Sequence, residues 1–125
     1  PATSALELIE QSAAKFGDDP ALDFLLTGKR DESPLTISFN GLLESTRRTA
    51  NLLASLDLKG DEAVSILIPT LPQSHPLILG SQVAGLANPI NPLLEPAHIA
   101  EIFMLPTLGL LCAWCLPNTV ISGRN

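Results

Sequence analysis

Hydrophobic spacing predicts a helix at the start of the chain. Apolar residues recur at helical spacing over residues 4–16, SALELIEQSAAKF. Ser4 followed by Glu7 fits a capping box, in which each side chain satisfies a free backbone N–H of the first turn. Gly17 suits the position after a helix end, and Pro20 cannot continue the helix. The first element is therefore predicted to be an amphipathic helix.

Further helices and strands follow in alternation. Strands are predicted at 21–26 and 35–39 as an antiparallel pair, at 63–68 as a run buried on both faces, and at 87–92 as a short extended piece. Helices are predicted at 39–56 with Ser38 as N-cap, at about 76–86, and from Pro96 onward. The order α, β, β, α, β, α, β, α predicts an α/β fold with a mainly parallel sheet flanked by helices.

Composition narrows the function classes. The chain has 125 residues, a common size for one domain, and its net charge is −6. The chain has seven basic and thirteen acidic residues, which argues against a nucleic-acid partner. A protein that binds nucleic acid needs Lys and Arg to neutralise the phosphates. The basic pairs Lys29-Arg30 and Arg47-Arg48 are interpreted as a solvated turn and a helix face. Charged residues make up 16% of the chain, below the usual share of about 25%, so part of the surface is expected to pack on more protein.

The first residue and the apolar runs of the sequence are used to predict the cellular location of the protein. Residue 1 is Pro rather than Met, so we expect a processed, trimmed or internal segment. No secretory signal is recognised, and a cytoplasmic location is the default expectation. The apolar part of the uncharged span, from Phe103 to Leu116, is too short and too interrupted for the roughly 20 residues that a membrane span needs. We therefore predict no transmembrane segment.

Histidine and cysteine supply few candidates for a site. Cys112 and Cys115 form a C-x-x-C pair, but a redox pair usually follows a strand and a zinc site needs four ligands, so incidental thiols are favoured. His75 follows the buried strand near its carboxyl end, where ligands bind in α/β proteins, yet a surface or capping histidine is favoured. His98 is expected to be exposed in the first turn of a helix.

Hydroxyl and carboxylate residues give no catalytic arrangement either. Ser81 lacks the G-x-S-x-G context of a nucleophile elbow. Three acidic pairs are interpreted as solvated faces or turns: Glu7 with Glu10, Asp18 with Asp19, and Asp61 with Glu62. The phosphate-binding patterns G-x-G-x-x-G and G-x-x-x-x-G-K-[ST] are missing. No catalytic, cofactor-binding or metal-binding residue is assigned.

Three stretches resemble the N-terminal part of the AMP-forming acyl-CoA synthetases, the adenylate-forming ligases. They are ALELIEQSAAKFGDDPALDFL, LTISFNGLLESTRRTANLLASLDLKGDEAVSILIPTLPQSH and QVAGLANPINPLLEPAHIAEI. Their order and spacing, rather than any single motif, carry the resemblance over residues 4–102. One departure is Glu95, where the family often has Thr or Ser as a helix cap.

The resemblance implies a partial N-terminal subdomain over residues 1–102. The family activates a fatty or other carboxylic acid with ATP and Mg²⁺ and then transfers the acyl group to coenzyme A. Its groups that handle ATP lie beyond the equivalent of residue 102, so no cofactor is expected in this chain, and the chain alone is expected to be inactive. Residues 103–125 depart from the family pattern and are interpreted as a tail produced by a frameshift, aberrant splicing or truncation.

A second interpretation stays open. The chain could be a small non-catalytic α/β module that binds a ligand in a cleft between Pro69–His75 and Asn88–Asn91, or that meets a partner through an exposed apolar surface. The ligase interpretation predicts exposed sheet edges and apolar patches in the isolated chain.

Overall fold

A computed structural model describes residues 4–56 and 62–104. The elements in chain order are α1 (Ala5–Phe16), β1 (Pro20–Phe24), β2 (Leu35–Ser38), α2 (Phe39–Ala54), β3 (Ala63–Ile66), α3 (Ser74–Ala84), β4 (Leu86–Pro89) and α4 (Pro96–Phe103). All eight predicted elements are present in the predicted order. Residues 57–61, with the candidate Asp61, and residues 105–125, with Cys112 and Cys115, lie outside the described residues.

Serine caps and a glycine set the ends of the first two helices. The Ser4 hydroxyl accepts a hydrogen bond from the Glu7 amide at 3.2 Å, and the Ser38 hydroxyl accepts one from the Gly41 amide at 3.1 Å. Gly17 ends α1 with a φ of 56°, a left-handed backbone value that favours glycine. The predicted N-cap at Ser38 and the helix end at Gly17 are confirmed, and of the predicted capping box the hydrogen bond to the Ser4 hydroxyl is confirmed.

The four described strands form two separate pairs. Strands β1 and β2 are antiparallel, as predicted, and β3 and β4 are parallel. A helix, α3, makes the connection between the two parallel strands, as a βαβ unit requires. The prediction of a mainly parallel sheet is not confirmed, because the described residues hold one parallel and one antiparallel pair.

The core lies where α2 and α3 cover β3. All four residues of β3 are buried, and Leu53, Val64 and Ile66 form the centre of the apolar cluster. Gly80 lets α3 approach α2 closely, because a Cβ on Gly80 would lie 2.6 Å from Thr49 Cβ. The sheet pair and the two helices thus form one packed unit that fixes the carboxyl ends of β3 and β4.

Helix α1 and the β1–β2 hairpin also pack against α2. Arg47 pairs with Glu10 at 2.6 Å, and the rings of Phe16 and Phe39 lie 5.0 Å apart. Both ionic side chains are about half exposed, so this pair contributes little to stability compared with the core.

Over the described ranges, no helix has both the length and the apolar character required to span a membrane.

Candidate functional site

A cleft of about 360 Å³ opens at the carboxyl ends of β3 and β4. Its apolar lining includes Ile66, Ile78 and Ile90, and its polar lining includes Thr70, His75 and Asn91. Parallel strands end at the same edge of a sheet, which is where α/β proteins place their ligands. The cleft therefore brings together the two segments predicted for a binding module, the loop after β3 and the exit from β4.

Local turn chemistry shapes both sides of the cleft. On one side, the Ser74 amide and hydroxyl both donate to the Leu71 carbonyl, at 3.0 and 2.5 Å. On the other side, the Asn91 side-chain oxygen accepts a hydrogen bond from the Leu93 amide at 3.0 Å. Asn91 is thus committed to the turn after β4, as short polar residues often are.

A polar side-chain pair connects β3 and β4, with Ser65 buried and Asn88 half-buried. Asn88 donates through Nδ2 to the Ser65 hydroxyl at 3.2 Å, which joins β4 to β3 through side chains. Ser65 is 1% exposed, so this hydrogen bond offsets the cost of burying its hydroxyl. Asn88 therefore has a structural contact with Ser65. Sequence reasoning missed this contact because the two residues are 23 positions apart.

The two histidines are not brought together at the cleft. His75 is half-buried, lines the cleft and lies inside the first turn of α3, not in the loop before it, because the helix begins two residues earlier than predicted. His98 is exposed in the first turn of α4, as predicted. Within residues 4–56 and 62–104, no three His, Cys, Asp or Glu side chains form a group that could hold a metal ion.

The other candidates have structural contacts. The buried Ser81 hydroxyl donates to the Leu77 carbonyl at 2.7 Å. Asp18 accepts a hydrogen bond from Asn40, and both Asp18 and Asp19 are exposed. The basic pairs are solvated as predicted: Lys29 and Arg30 are exposed, and Arg47 and Arg48 each form an exposed ion pair.

A second groove, of about 420 Å³, lies between the hairpin tip and the loop after β3. Phe24, Leu35 and Leu71 contribute apolar lining, and Glu32 lies at its edge. The Glu32 carboxylate accepts hydrogen bonds from the Thr27 hydroxyl at 2.6 Å and from the Leu26 amide at 2.6 Å. The Thr27 hydroxyl is the main cause that lowers the pKa of Glu32 below 4.5. No motif in the sequence indicates this groove.

Two curated relatives are CoA ligases. The chain is 29% identical over 102 residues to marinolic acid–CoA ligase of Pseudoalteromonas sp. (strain SANK 73390). The aligned residues make up 82% of this chain and 16% of the relative. It is 30% identical over 108 residues to sulfoacetate–CoA ligase of Cupriavidus necator. The aligned residues make up 86% of this chain and 20% of that relative. The chain thus spans about a fifth or less of the relatives it matches. No family model matches the chain.

Solved structures show the same fold. The N-terminal subdomain of Klebsiella oxytoca NpsA in complex with 3-hydroxybenzoyl-AMSN matches with a TM-score of 0.74 and 19% identity, over 94% of this chain and 29% of that one. The anthranilate CoA ligase AuaEII in complex with anthranoyl-AMP matches with a TM-score of 0.67 and 20% identity, over 80% of this chain and 18% of that one. The resemblance to the adenylate-forming ligases is confirmed.

One departure from the ligase pattern has a structural counterpart. Glu95 occupies the N-cap position of α4, and its side chain makes no capping hydrogen bond there. Thr or Ser at this position accepts a hydrogen bond from the first-turn amides more readily. In this chain, α4 therefore begins with Pro96 as its first residue and without a side-chain cap.

Proposed function

We propose that this chain supplies part of the N-terminal scaffold of a ligase that joins a carboxylic acid to coenzyme A through an acyl-adenylate. The observation that carries the proposal is that both curated relatives are CoA ligases and match more than four-fifths of the chain. The adenylation fold of the structural neighbours supports the same assignment.

The proposed substrate of the whole ligase is a small carboxylic acid. The relatives are named for marinolic acid and sulfoacetate, and the neighbouring structures hold anthranoyl-AMP and 3-hydroxybenzoyl-AMSN. A fatty acid belongs to the same chemical class and is among the acids to be tried. ATP, Mg²⁺ and coenzyme A would act with the whole ligase, which we place in the cytoplasm.

The described residues support a scaffold role without catalysis. The cleft at the ends of β3 and β4 is lined by apolar, hydroxyl, amide and imidazole groups, with no Lys or Arg among its described lining residues. Transfer at a phosphorus centre needs cations and clustered donors to stabilise developing negative charge. We therefore propose that the chain alone does not adenylate an acid, and we assign no catalytic or cofactor-binding residue to it.

Pyrophosphate release tests this proposal. The full chain is incubated with ATP, Mg²⁺ and a panel containing sulfoacetate, anthranilate and several fatty acids. Sulfoacetate–CoA ligase serves as the positive control, and heat-denatured chain serves as the blank. We expect release at the level of the blank. Acid-dependent turnover above the blank would place a working site in these residues and contradict the scaffold proposal.

We also propose a boundary near residue 102 between the ligase scaffold, 1–102, and a tail over 103–125. The support is the change in sequence pattern after Ile102, where Pro106 and a run of uncharged residues replace the family pattern. The coding DNA after residue 102 tests the origin of the tail. A frame that resumes a helix, a buried strand and a Gly/Ser/Thr-rich loop with Lys supports a frameshift, and the lack of such a frame contradicts it.

A second candidate function is a non-catalytic binding module. The observation in its favour is the cleft that the loop 69–75 and the exit from β4 form together. Thr70 lines this cleft and is exposed, so Thr70→Trp should obstruct the cleft without disturbing the core. A rise in melting temperature with anthranilate or ATP that disappears in Thr70→Trp would favour the module. No rise with either compound would count against it.

A further inference from the structure

Asn40 and Gly41 form a residue pair whose chemistry favours deamidation. The side-chain amide of an asparagine is attacked by the backbone nitrogen of the next residue, and glycine hinders that attack least because it has no side chain. Asn40 is the only asparagine followed by glycine in the sequence. Asn88 and Asn91 precede prolines, which have no backbone N–H. Asn40 is also exposed, so water reaches its side chain.

The fold engages both reacting groups in hydrogen bonds. The Asn40 side chain donates through Nδ2 to Asp18 Oδ1 at 2.9 Å, and the Gly41 amide donates to Ser38 Oγ at 3.1 Å. Both residues lie in the first turn of α2, where the backbone is helical. Attack by the Gly41 nitrogen therefore requires both hydrogen bonds to break and the peptide unit between the two residues to rotate out of the helical conformation.

Asn40 also connects the turn after α1 to the start of α2. Its backbone amide donates to the Gly17 carbonyl at 2.9 Å, and the neighbouring Phe39 amide donates to the Asp19 carbonyl at 3.2 Å. With the side-chain hydrogen bond to Asp18, three hydrogen bonds join these two segments, which we call the α1–α2 junction. A chemical change at Asn40 therefore alters the contact between two helices as well as one side chain.

We propose that Asn40 is a deamidation site that the folded chain protects and that local unfolding of the first turn of α2 makes reactive. The Gly41 nitrogen bonds to Cγ of Asn40, the bond from Cγ to Nδ2 breaks, and the proton of the Gly41 N–H ends on the departing ammonia. Water then opens the cyclic imide at either carbonyl, which gives aspartate or isoaspartate and restores the Gly41 N–H. Water is the only co-reactant, and the inference does not depend on the proposed ligase function.

Both products weaken the α1–α2 junction. Aspartate at position 40 loses the N–H that donates to Asp18 and places a second negative charge beside that carboxylate. Isoaspartate routes the main chain through the side chain, which inserts an extra backbone atom into the first turn of α2. We therefore expect the deamidated chain to unfold at a lower temperature than the unmodified chain.

Peptide mass spectrometry of the full chain, aged at mildly alkaline pH in buffer and in urea, tests the site. We expect Asn40 to deamidate at least about tenfold more slowly in buffer, since the reaction there gives up two hydrogen bonds. Ser38→Ala releases the Gly41 N–H and should raise the rate in buffer by at least about threefold. Ser4→Ala removes the same kind of cap from α1 and should leave the rate unchanged, as should Ser38→Thr, which keeps the hydroxyl. In urea, all four chains should react at the same rate.

Three results would overturn the proposal. They are equal rates for the parent chain in buffer and in urea, equal rates for Ser38→Ala and Ser4→Ala in buffer, and faster deamidation in urea at Asn51, which precedes Leu52, than at Asn40. Thermal unfolding of the chromatographically separated deamidated chain checks the consequence. A melting temperature equal to that of the unmodified chain would show that Asn40 does not hold the α1–α2 junction together.

Discussion

Gly80 shows how one residue determines the distance between two helices. A Cβ at this position would lie 2.6 Å from Thr49 Cβ, 2.7 Å from Thr49 Cγ2 and 3.0 Å from the Ala50 amide nitrogen. These atoms belong to the helix backbone or lie close to it, so they cannot move aside without displacing α2. Glycine weakens a helix interior unless it permits close packing, and at Gly80 the structure shows that packing.

Gly80→Ala is therefore expected to destabilise the chain. Overpacking costs about 1–3 kcal/mol, which outweighs the helix-propensity gain of about 1 kcal/mol. Gly41→Ala is the matched control, because its Cβ would meet Ser38 Oγ at 3.4 Å and Ile37 Cγ2 at 3.6 Å, which are ordinary contacts. Thermal unfolding should show a lower melting temperature for Gly80→Ala and an equal or higher one for Gly41→Ala. A stabilised Gly80→Ala chain would refute the close approach.

Thr46 gives a second prediction for a single residue. It is fully buried in α2, and its hydroxyl has no hydrogen-bond partner among the described residues. Thr46→Val removes the unsatisfied hydroxyl while keeping the branched shape, so we expect stability to rise by about 1 kcal/mol.

The matched control for Thr46 lies one turn away on the same helix. The Thr49 hydroxyl donates to the Ser45 carbonyl at 2.9 Å, so Thr49→Val loses a hydrogen bond and should not stabilise the chain. Chemical denaturation of both variants checks the difference. A Thr46→Val chain that is less stable than the parent would indicate that the buried hydroxyl has a partner.

Contacts between residues near in sequence could be predicted, and contacts between distant residues could not. Ser4 and Ser38 were predicted as caps because a cap depends on residues within one turn. The hydrogen bond from Asn88 to Ser65 was missed because it depends on how two strands align. Neither residue type nor spacing indicates such an alignment.

At the scale of helices and strands, the predicted types are confirmed and the ends differ by up to three residues. Strand β3 was predicted to reach residue 68 but stops at Ile66, since its only described partner, β4, ends at Pro89. Pro89 has no amide hydrogen, which limits extension of the ladder. The mainly parallel sheet could not be established from the pattern, because alternation of helices and strands does not specify which strands pair.

The hairpin tip between β1 and β2 gives a pH prediction. The pKa of Glu32 is below 4.5 in the folded chain because its carboxylate accepts a hydrogen bond from the Thr27 hydroxyl, with further amide donors. A lowered carboxyl pKa contributes stability that is present above pH 4.5 and is lost as pH falls through the folded pKa.

The Glu32→Gln variant tests the contribution of this carboxylate. On acidification below pH 4.5, the parent chain should lose more stability than Glu32→Gln, which has no titrating group at this position. Asp31→Asn, in the same loop, is the control and should follow the parent. Melting temperatures measured across this range provide the comparison. Parallel curves for the parent and Glu32→Gln would contradict the role of the carboxylate.

At the scale of the whole molecule, the low charge content was the first indication of contacts with more protein. The structure leaves large apolar side chains exposed in segments outside the helices and strands, including Leu26 at 77%, Leu93 at 88% and Met104 at 85%. Such exposure agrees with the patches predicted for a segment of a larger protein. Composition could indicate that part of the surface is covered, but only the fold could show which apolar side chains are exposed.

The candidate cleft was predicted in part. The sequence indicated that the loop after β3 and the exit from β4 could meet, because parallel strands end at one edge of a sheet. It gave no indication of the groove beside Glu32, which depends on where the hairpin lies relative to the loop containing Leu71. That position follows from packing between segments far apart in sequence.

Segment replacement tests the central claim most directly. Residues 4–102 of this chain replace the matching segment of sulfoacetate–CoA ligase, and thioester formation from sulfoacetate, ATP and coenzyme A is measured. The same replacement carrying Gly80→Trp, which cannot keep α3 against α2, is the control. We predict that the unmodified segment retains activity within about a hundredfold of the parent, since a displacement of about 1 Å costs that much, and that the control has none. A soluble, folded replacement enzyme that forms no thioester would contradict the assignment of this chain as ligase scaffold.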